Sequence, residues 1–515
     1  MKHARKLASL LLALVMVFAL ATTAFAANST AHTITVTDGK PGHTYSAYQV
    51  FKGDISDGKL TNIEWGDSVD GSAILAALTT GEVYAGCDSA EAVAAVLESF
   101  GDNSAEIDAF AKVVGAHLKT AAGTSTATQS PYTISVTGDG YYLVKDTGTI
   151  GTDDAATKYL LKVIKDETIA VKTTIPDVSK KILSSTGNEK GISAAVGQSV
   201  SFQLDSEVPS MDGYDTYTFN IHDTLSSGLT FNNDVVVKID GTALTKGTDY
   251  TVTVTEQNIT IKFLNMINRK SAAGKKIEVT YSATVNDQAL TKDKEDNTVY
   301  LEYSNNPGEG GIGTTQNKKV YVYDFDIVID KWAQRSPSNI KLANAMFVLK
   351  NNEGKYYKYT AASGDNAAKV EWVAVTTEPE TNDQTAEQIK AAWETRGVTV
   401  VTTDANGAAK FQGLATGNYY LKEIAAPAGY NLLKSDVAVN ITATYNDDGT
   451  LANSSATVGE TNGQYSQTAS VENKSGTELP STGGMGTTIF YVLGSVLVLA
   501  AVVLLVTKKR MSNKG

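Results

Sequence analysis

Two lysines sit where strand alternation turns them toward an apolar interior. Side chains alternate along a strand, so residues i, i+2 and i+4 share a face. In Val178-Ser179-Lys180-Lys181-Ile182, Lys180 shares its face with Val178 and Ile182; in Ile327-Val328-Ile329-Asp330-Lys331, Lys331 aligns with Ile327 and Ile329. Two acids show the same pattern: Asp223 with Phe219, Ile221 and Leu225, and Glu423 with Tyr419 and Leu421. So do two amides, Asn305 with Val299, Leu301 and Tyr303, and Asn473 with Val471. A lysine facing a core is costly unless it is paired or neutralised. Once desolvated it gives up its proton more readily and becomes a nucleophile. The plainer arrangement of the same residues is an inward salt bridge, or a lysine snorkelling at a strand edge.

The elements that must position these residues are mostly strands. From Thr33 to about Val171 the chain alternates at 33–36, 45–51, 132–136, 141–144 and 159–164, with helical spacing at 73–78, 90–100 and 105–118 between. From about Pro176 to Tyr321 it is nearly all strand: seven short alternating runs separated by Gly, Asn and Asp turns, as in a β-sandwich. From about Tyr323 to Asn473 a third β unit follows, with one helical insertion around 385–396. Each of the last two units has an inward Lys near its start, an inward acid in mid-sequence and an inward Asn on its last strand.

At 515 residues the chain is too long for one ordinary domain and fits roughly three. The composition, 42% hydrophobic and 19% charged with only 9 Pro, excludes wholesale disorder and collagen-like repeats. The net charge of −12 argues against nucleic acid as a partner. Seven basic residues and no acid lie in residues 1–26 and 483–515, so the folded part is more acidic still. A surface hydrolase finds little support. The 5 histidines form no metal-ligand pattern, and neither a nucleophile elbow nor a paired-carboxylate constellation is visible. No metal or cofactor is expected. With one cysteine, Cys87, in an Ala-rich helical stretch, an exported chain must be stable without disulfides.

Export is written at the N-terminus. Lys2, Arg5 and Lys6 precede the apolar run Leu7–Leu20, and Ala24-Phe25-Ala26 is a small-x-small cleavage site, as in a secretory signal peptide. At the other end, residues 487–506 are twenty in a row without a charge, followed at once by Lys508, Lys509 and Arg510. Leu479-Pro480-Ser481-Thr482-Gly483 stands just upstream. The ordered triple of pentapeptide, apolar span and basic tail resembles the sorting signal of Gram-positive cell-wall proteins. That resemblance implies a sortase cysteine that cuts between Thr482 and Gly483, holds Thr482 as a thioester and passes it to an amine.

Asn418-Tyr419-Tyr420-Leu421-Lys422-Glu423-Ile424-Ala425-Ala426-Pro427-Ala428-Gly429-Tyr430 looks like the E-box of sortase-assembled pilins. Asp330-Lys331 and Val471-Glu472-Asn473 complete that domain's pattern. In the middle unit, 178–182, His222-Asp223-Thr224-Leu225 and Tyr303-Ser304-Asn305-Asn306-Pro307 resemble the isopeptide-forming domain of the same proteins. The likeness covers nearly the whole chain. It implies an all-β major shaft pilin of tandem immunoglobulin-like sandwiches of the collagen-adhesin B type, with minor helical insertions. Its parts are a signal peptide (1–26), an N-terminal pilin domain (27–172), an isopeptide-forming middle domain (173–322), a C-terminal domain (323–475) and a sorting signal (476–515).

The family also implies spontaneous Lys–Asn isopeptide bonds. A protonated acid polarises the Asn carbonyl and shuttles protons, and ammonia leaves. The assignments are Lys180, Asp223 and Asn305 in the middle domain, with Lys181 and Asn297 as near competitors, and Lys331, Glu423 and Asn473 in the third. In the first domain Lys52 and Asp146 have no evident Asn partner.

A shaft subunit needs an acceptor amine, which in the family lies at the end of the N-terminal domain within a Val-Tyr-Pro-Lys-like motif. Ile169-Ala170-Val171-Lys172 occupies that place without the Tyr-Pro, and Lys165 or Lys162 are alternatives. The expected function is a covalent homopolymer anchored to peptidoglycan, with a pilus-assembly sortase, a housekeeping sortase and tip and basal pilins as partners. The competing class is a monomeric wall-anchored adhesin. It would need no acceptor lysine.

Overall fold

The computed structural model describes residues 31–512, apart from the segments 102–103, 158, 164–165, 172–174, 185–187, 453–458, 462–463 and 477–484. The signal peptide, the pentapeptide with Leu479, Pro480, Thr482 and Gly483, and the acceptor candidates Lys172 and Lys165 lie outside the described residues, as does the side chain of Lys162.

Among the described residues strands dominate, as the alternation implies, and they form six sheets. Nearest the N-terminus, a five-stranded sheet is built on Tyr45–Ser56 and Gly140–Asp146. One of its faces carries Tyr45, Ala47, Tyr142 and Val144 against a three-stranded sheet of Tyr132–Thr137, Ala31–Thr37 and Glu167–Ala170. The other face, with Phe51 and Leu143, is covered by the helices Gly71–Leu78, Ala90–Glu98 and Ala105–Gly115. Asp70, Ser89 and Ser104 start these helices by accepting the backbone N–H of Ala73, Ala92 and Ile107. Half-buried Cys87 packs at the edge of this cluster as a free thiol, its pKa pushed up by burial.

The middle sandwich encloses the largest core. One sheet pairs Ser179–Ile182, Ser199–Glu207, Lys276–Val285 and Val236–Ile239; the facing sheet pairs Lys318–Tyr323, Glu295–Ser304, Phe219–Leu225 and Asn258–Phe263. In the last sandwich, Phe325–Ala333 lies parallel to Gln464–Glu472, and Met346–Asn351 pairs with Gly417–Ala425 in the facing sheet. The predicted helical insertion is Ala386–Thr395, opened by a capping box at Thr385 and Gln388, with Ile389 and Trp393 packed on the outer face of that sheet. At the C-terminus the apolar helix Met485–Ser512 contains a span, Tyr491–Lys509, of mean hydropathy 2.3, long enough to cross a bilayer.

The three packed regions are joined by specific contacts. Between the first and middle, the loop at 151–157 is hydrogen-bonded to the middle sandwich: Ala156 N–H donates to Asn305 O (2.7 Å) and Thr314 N–H to Thr152 O (2.5 Å). His43 holds that loop from the other side, its ring bonded to buried Asp146 (2.5 Å) and to Asp154 (2.7 Å), with Lys40 3.4 Å from Asp154 and the ring stacked near Tyr45. The Asp146 hydrogen bond is the largest influence on the imidazole and raises its pKa to about 8. Between the middle and last, the chain passes from one strand to the next through Asp324 alone. Val196 N–H donates to Gly413 O (3.1 Å) across this joint, and Gly413 has φ +69 with Val196 where a Cβ would stand.

Asp324 is buried, one of its oxygens has no hydrogen-bond partner, and Asp326 and Glu295 lie near it with Lys410 opposing them. Desolvation, reinforced by those two acids, pushes its carboxyl from 3.8 up to about 7. Folding therefore holds a proton that the unfolded chain releases near pH 4, and stability falls as pH rises from about 4 to 7. Asp324→Asn removes this cost. The expected result in thermal melts is a gain on the order of 2–4 kcal/mol at pH 8 that shrinks as the pH falls toward 4; a gain independent of pH would show that Asp324 is ionised throughout.

Candidate cross-linking sites

In the last sandwich the parallel pairing sets Lys331 opposite Val471, and Asn473 follows two residues on, with its backbone N–H donating to Trp332 O (3.0 Å). Period-two alternation then turns Lys331 and Asn473 to the same inner face of neighbouring strands. Glu423 reaches them from the facing sheet. All three are buried, Lys331 completely. Lys331 Nζ lies 3.1 Å from Glu423 Oε1, and Asn473 Nδ2 donates to Glu423 Oε2 (3.1 Å) and to Asn431 O (2.6 Å). Leu433 N–H also donates to Glu423 Oε2 (2.9 Å), which fixes the carboxyl. Yet Lys331 Nζ, Glu423 Oε1 and Asn473 Oδ1 have no aligned hydrogen-bond partner. Three buried polar atoms left unsatisfied at one point are a concentrated penalty. Burial pushes the Lys331 amine below its ordinary pKa, with Glu423 acting against it.

In the middle sandwich, Lys180 on the first sheet donates to Asp223 on the second, and both side chains are fully enclosed. The third member of this group is a phenol. Lys180 Nζ donates to Tyr281 Oη (2.8 Å), Tyr281 donates to Asp223 Oδ1 (2.8 Å), and Asn297 Nδ2 donates to Tyr281 Oη (2.7 Å). Asn297 is completely buried and its Oδ1 has no partner. Desolvation lowers the Lys180 pKa to about 8 and raises that of Asp223, so burial draws the pair toward a neutral amine beside a neutral acid.

The structure does not bring Asn305 to Lys180. Register pairs Asp223 with Val299 and Leu225 with Asn297, whereas Asn305 lies beyond the Tyr303–Phe219 pair. At about 3.3 Å per residue, Asn297 and Asn305 are roughly 26 Å apart along the strand. Asn305 is buried for another reason: its Nδ2 donates to Gly151 O (3.4 Å) and its carbonyl accepts from Ala156 at the joint with the first region. Lys181 is no competitor either, since it points outward to Asp205 (3.4 Å). Alternation alone could not separate Asn297 from Asn305, because both are odd-numbered along one run, Asn305 standing one residue past the end of the strand. Tyr281 was missed although a signal existed: it alternates inward with Ile277, Val279, Ala283 and Val285, where a phenol needs a partner.

In the first region Lys52 and Asp146 do not meet. Tyr45 pairs with Asp146 and Lys52 with Gly140, so the two lie at opposite ends of the same strand pair. Lys52 is half-buried and reaches Asp67 (3.2 Å) and Glu64 (3.7 Å), while Asp146 belongs to His43. Among the described residues no His, Cys, Asp and Glu group is arranged to hold a metal ion.

Three family models match the chain: an Sgo0707 N2 domain at 180–316, a prealbumin-like fold domain at 331–455 and an LPXTG cell wall anchor motif at 471–513. The trypsin-resistant surface T6 protein of Streptococcus pyogenes serotype M6 is 25% identical over 389 residues, 67% of this chain and 70% of that one. The platelet adherence protein A of Streptococcus gordonii is 33% identical over 119 residues, 23% of this chain but 3% of that protein. Among solved structures, the T6 backbone pilin of serotype M6 Streptococcus pyogenes shares the fold with a TM-score of 0.53 at 16% identity, over 89% of this chain and 96% of that one. An anchor motif with its apolar helix, a prealbumin-like domain and a likeness to the T6 surface protein over two-thirds of the chain thus point one way: this is a cell-wall-anchored surface protein similar to the sortase-assembled major pilins of Gram-positive bacteria.

Proposed function

We propose that this pilin is the shaft subunit of a covalent fibre, closed internally by two isopeptide bonds, Lys331–Asn473 and Lys180–Asn297. The observation that carries the reading is the convergence of a dry amine, a carboxyl and a side-chain amide on one point in each sandwich. Each group is expensive to bury alone. Together they form reactants. In the last sandwich the neutral Lys331 amine adds to Cγ of Asn473, Glu423 passes a proton to the amide nitrogen, and the Cγ–Nδ2 bond breaks to release ammonia. The surplus proton on Nζ returns to Glu423, so the acid is regenerated.

The domains of this reading are 27–172, 173–322 and 323–475. Lys331 and Asn473 lie on the first and last strands of the last one, so a pull on the C-terminal side crosses from Asn473 to Lys331 without loading the sheets between. Thr482 is then joined by an assembly sortase to Lys172 of the next subunit. Lys165 and Lys162 are the alternative acceptors. A housekeeping sortase would transfer the finished fibre to peptidoglycan, with separate tip and basal pilins at its ends. A monomeric wall-anchored adhesin is the competing use of the same sandwiches.

Two measurements test this. The chain exported by a host lacking sortases and extracted in detergent should weigh less than its processed sequence by two ammonia molecules. Glu423→Ala should lose only one, and should destabilise the last domain by about 3–5 kcal/mol because Lys331 is left buried without its counter-charge. An unshifted wild-type mass would sink the internal bonds. For polymerisation, an SDS immunoblot of boiled wall extract should show a ladder of very large species that collapses to a monomer in Lys172→Ala. An unchanged ladder would move the acceptor to Lys165 or Lys162, and a monomer band in wild type with the assembly sortase expressed would leave the adhesin.

A further inference from the structure

The two candidate sites differ in how the acid reaches the amide. Glu423 touches Asn473 Nδ2 itself, through Oε2. Asp223 is one methylene shorter, and its two oxygens are taken by Lys180 and by Tyr281. What stands between Asp223 and Asn297 Nδ2 is the Tyr281 hydroxyl, 2.8 Å from the first and 2.7 Å from the second.

We infer that the Tyr281 hydroxyl is a catalytic group of the middle-domain cross-link, carrying the proton of Asp223 to the departing nitrogen of Asn297. The inference rests on the isopeptide reading above and deepens it for this one site. A phenol has one proton and two lone pairs. Here all three are engaged, by Asp223 Oδ1 as acceptor and by Lys180 Nζ and Asn297 Nδ2 as donors, so the nucleophile and the leaving nitrogen converge on one oxygen. Tyr281 is buried and held by ring contacts with Phe202 (5.4 Å between centroids) and Phe231 (5.9 Å), so the hydroxyl is fixed in place.

The step balances as follows. Lys180 gives its ammonium proton to Asp223 along their hydrogen bond, leaving a neutral amine and a neutral acid. The Nζ lone pair adds to Cγ of Asn297, and the carbonyl oxygen takes the displaced electron pair. As the amide nitrogen loses conjugation it becomes basic. The phenol proton then moves to Nδ2 while the Asp223 proton moves to the phenol, reversing the direction of that hydrogen bond. The Cγ–Nδ2 bond breaks, the carbonyl re-forms and ammonia leaves. The surplus proton on Nζ returns to Asp223. Tyrosine ends as it began, and Asp223 ends holding the proton that left the Lys180 ammonium.

The test is a pulse–chase of the full chain in a host lacking sortases, following the Lys180–Asn297 and Lys331–Asn473 cross-linked peptides by mass spectrometry. In Tyr281→Phe the Lys180–Asn297 peptide should accumulate about 100-fold or more slowly, the scale of a lost proton-transfer group. The Lys331–Asn473 peptide in the same molecules should form at the wild-type rate, which serves as the control for export and folding. Equal rates for the middle peptide in wild type and Tyr281→Phe would overturn the relay and leave the isopeptide reading intact. Wild type without the middle peptide would remove that reading at this site instead. Should the Phe variant lose protease resistance in the middle domain, site-specific 3,5-difluorotyrosine at 281 keeps the hydroxyl and changes only its acidity. A shifted pH profile for the middle peptide is then expected, and an unshifted one would overturn the relay.

Discussion

Burying a lysine amine strips its hydration, and in this pilin two such amines set the terms for everything around them. Each is held in a sandwich core at a cost that an aspartate or glutamate only partly offsets, because the carboxyl must be desolvated as well. A pair kept merely for stability would be better replaced by apolar side chains. The unsatisfied atoms at Lys331, Glu423 and Asn473, and at Asn297, show packing that has not settled into a closed hydrogen-bond network. A reactive site has that character before it reacts. Loss of ammonia would convert a penalised cluster into one neutral amide, which makes the burial self-consistent.

The placement of the two sites follows a mechanical logic. With Cys87 as its single cysteine, the chain has no disulfide framework, yet loops of more than a hundred residues run from Lys180 to Asn297 and from Lys331 to Asn473. Closing such loops restricts the unfolded chain by about 4–5 kcal/mol each on the entropic account used for disulfides. An amide, unlike a disulfide, also survives reduction. Among its described residues the first region has no equivalent trio, and its buried acid Asp146 is used by His43. If load enters at Lys172 and leaves at Thr482, that region hangs beside the line of force and needs no covalent closure.

Much of this was legible in the sequence because alternation is a local rule. It turned Lys180, Asp223, Lys331, Glu423 and Asn473 inward, and all five are buried. The helices at 71–78, 90–98 and 105–115 were announced by their apolar spacing. What alternation cannot supply is register. Asn297 and Asn305 satisfy the same rule along the same run, and only the pairing of that strand with Phe219–Leu225 decides which one meets Asp223. Tyr281 was hidden for a related reason, since its partners come from three other strands and no sequence distance links them.

The same physics governs the joints between the packed regions. His43 is charged below about pH 8, when it can bridge Asp146 and Asp154, while Asp324 is neutral below about pH 7. Contact across both joints is therefore favoured by the same change, an added proton, though one joint gains a charge and the other loses one. The His43 contribution is fully present below the ordinary imidazole pKa and fades as pH rises through about 8; the Asp324 penalty grows from about pH 4 and is complete near 7. The proposed covalent closures would make the middle and last sandwiches indifferent to such shifts. They would do nothing for the joints, where the chain relies on ordinary hydrogen bonds and titrating groups.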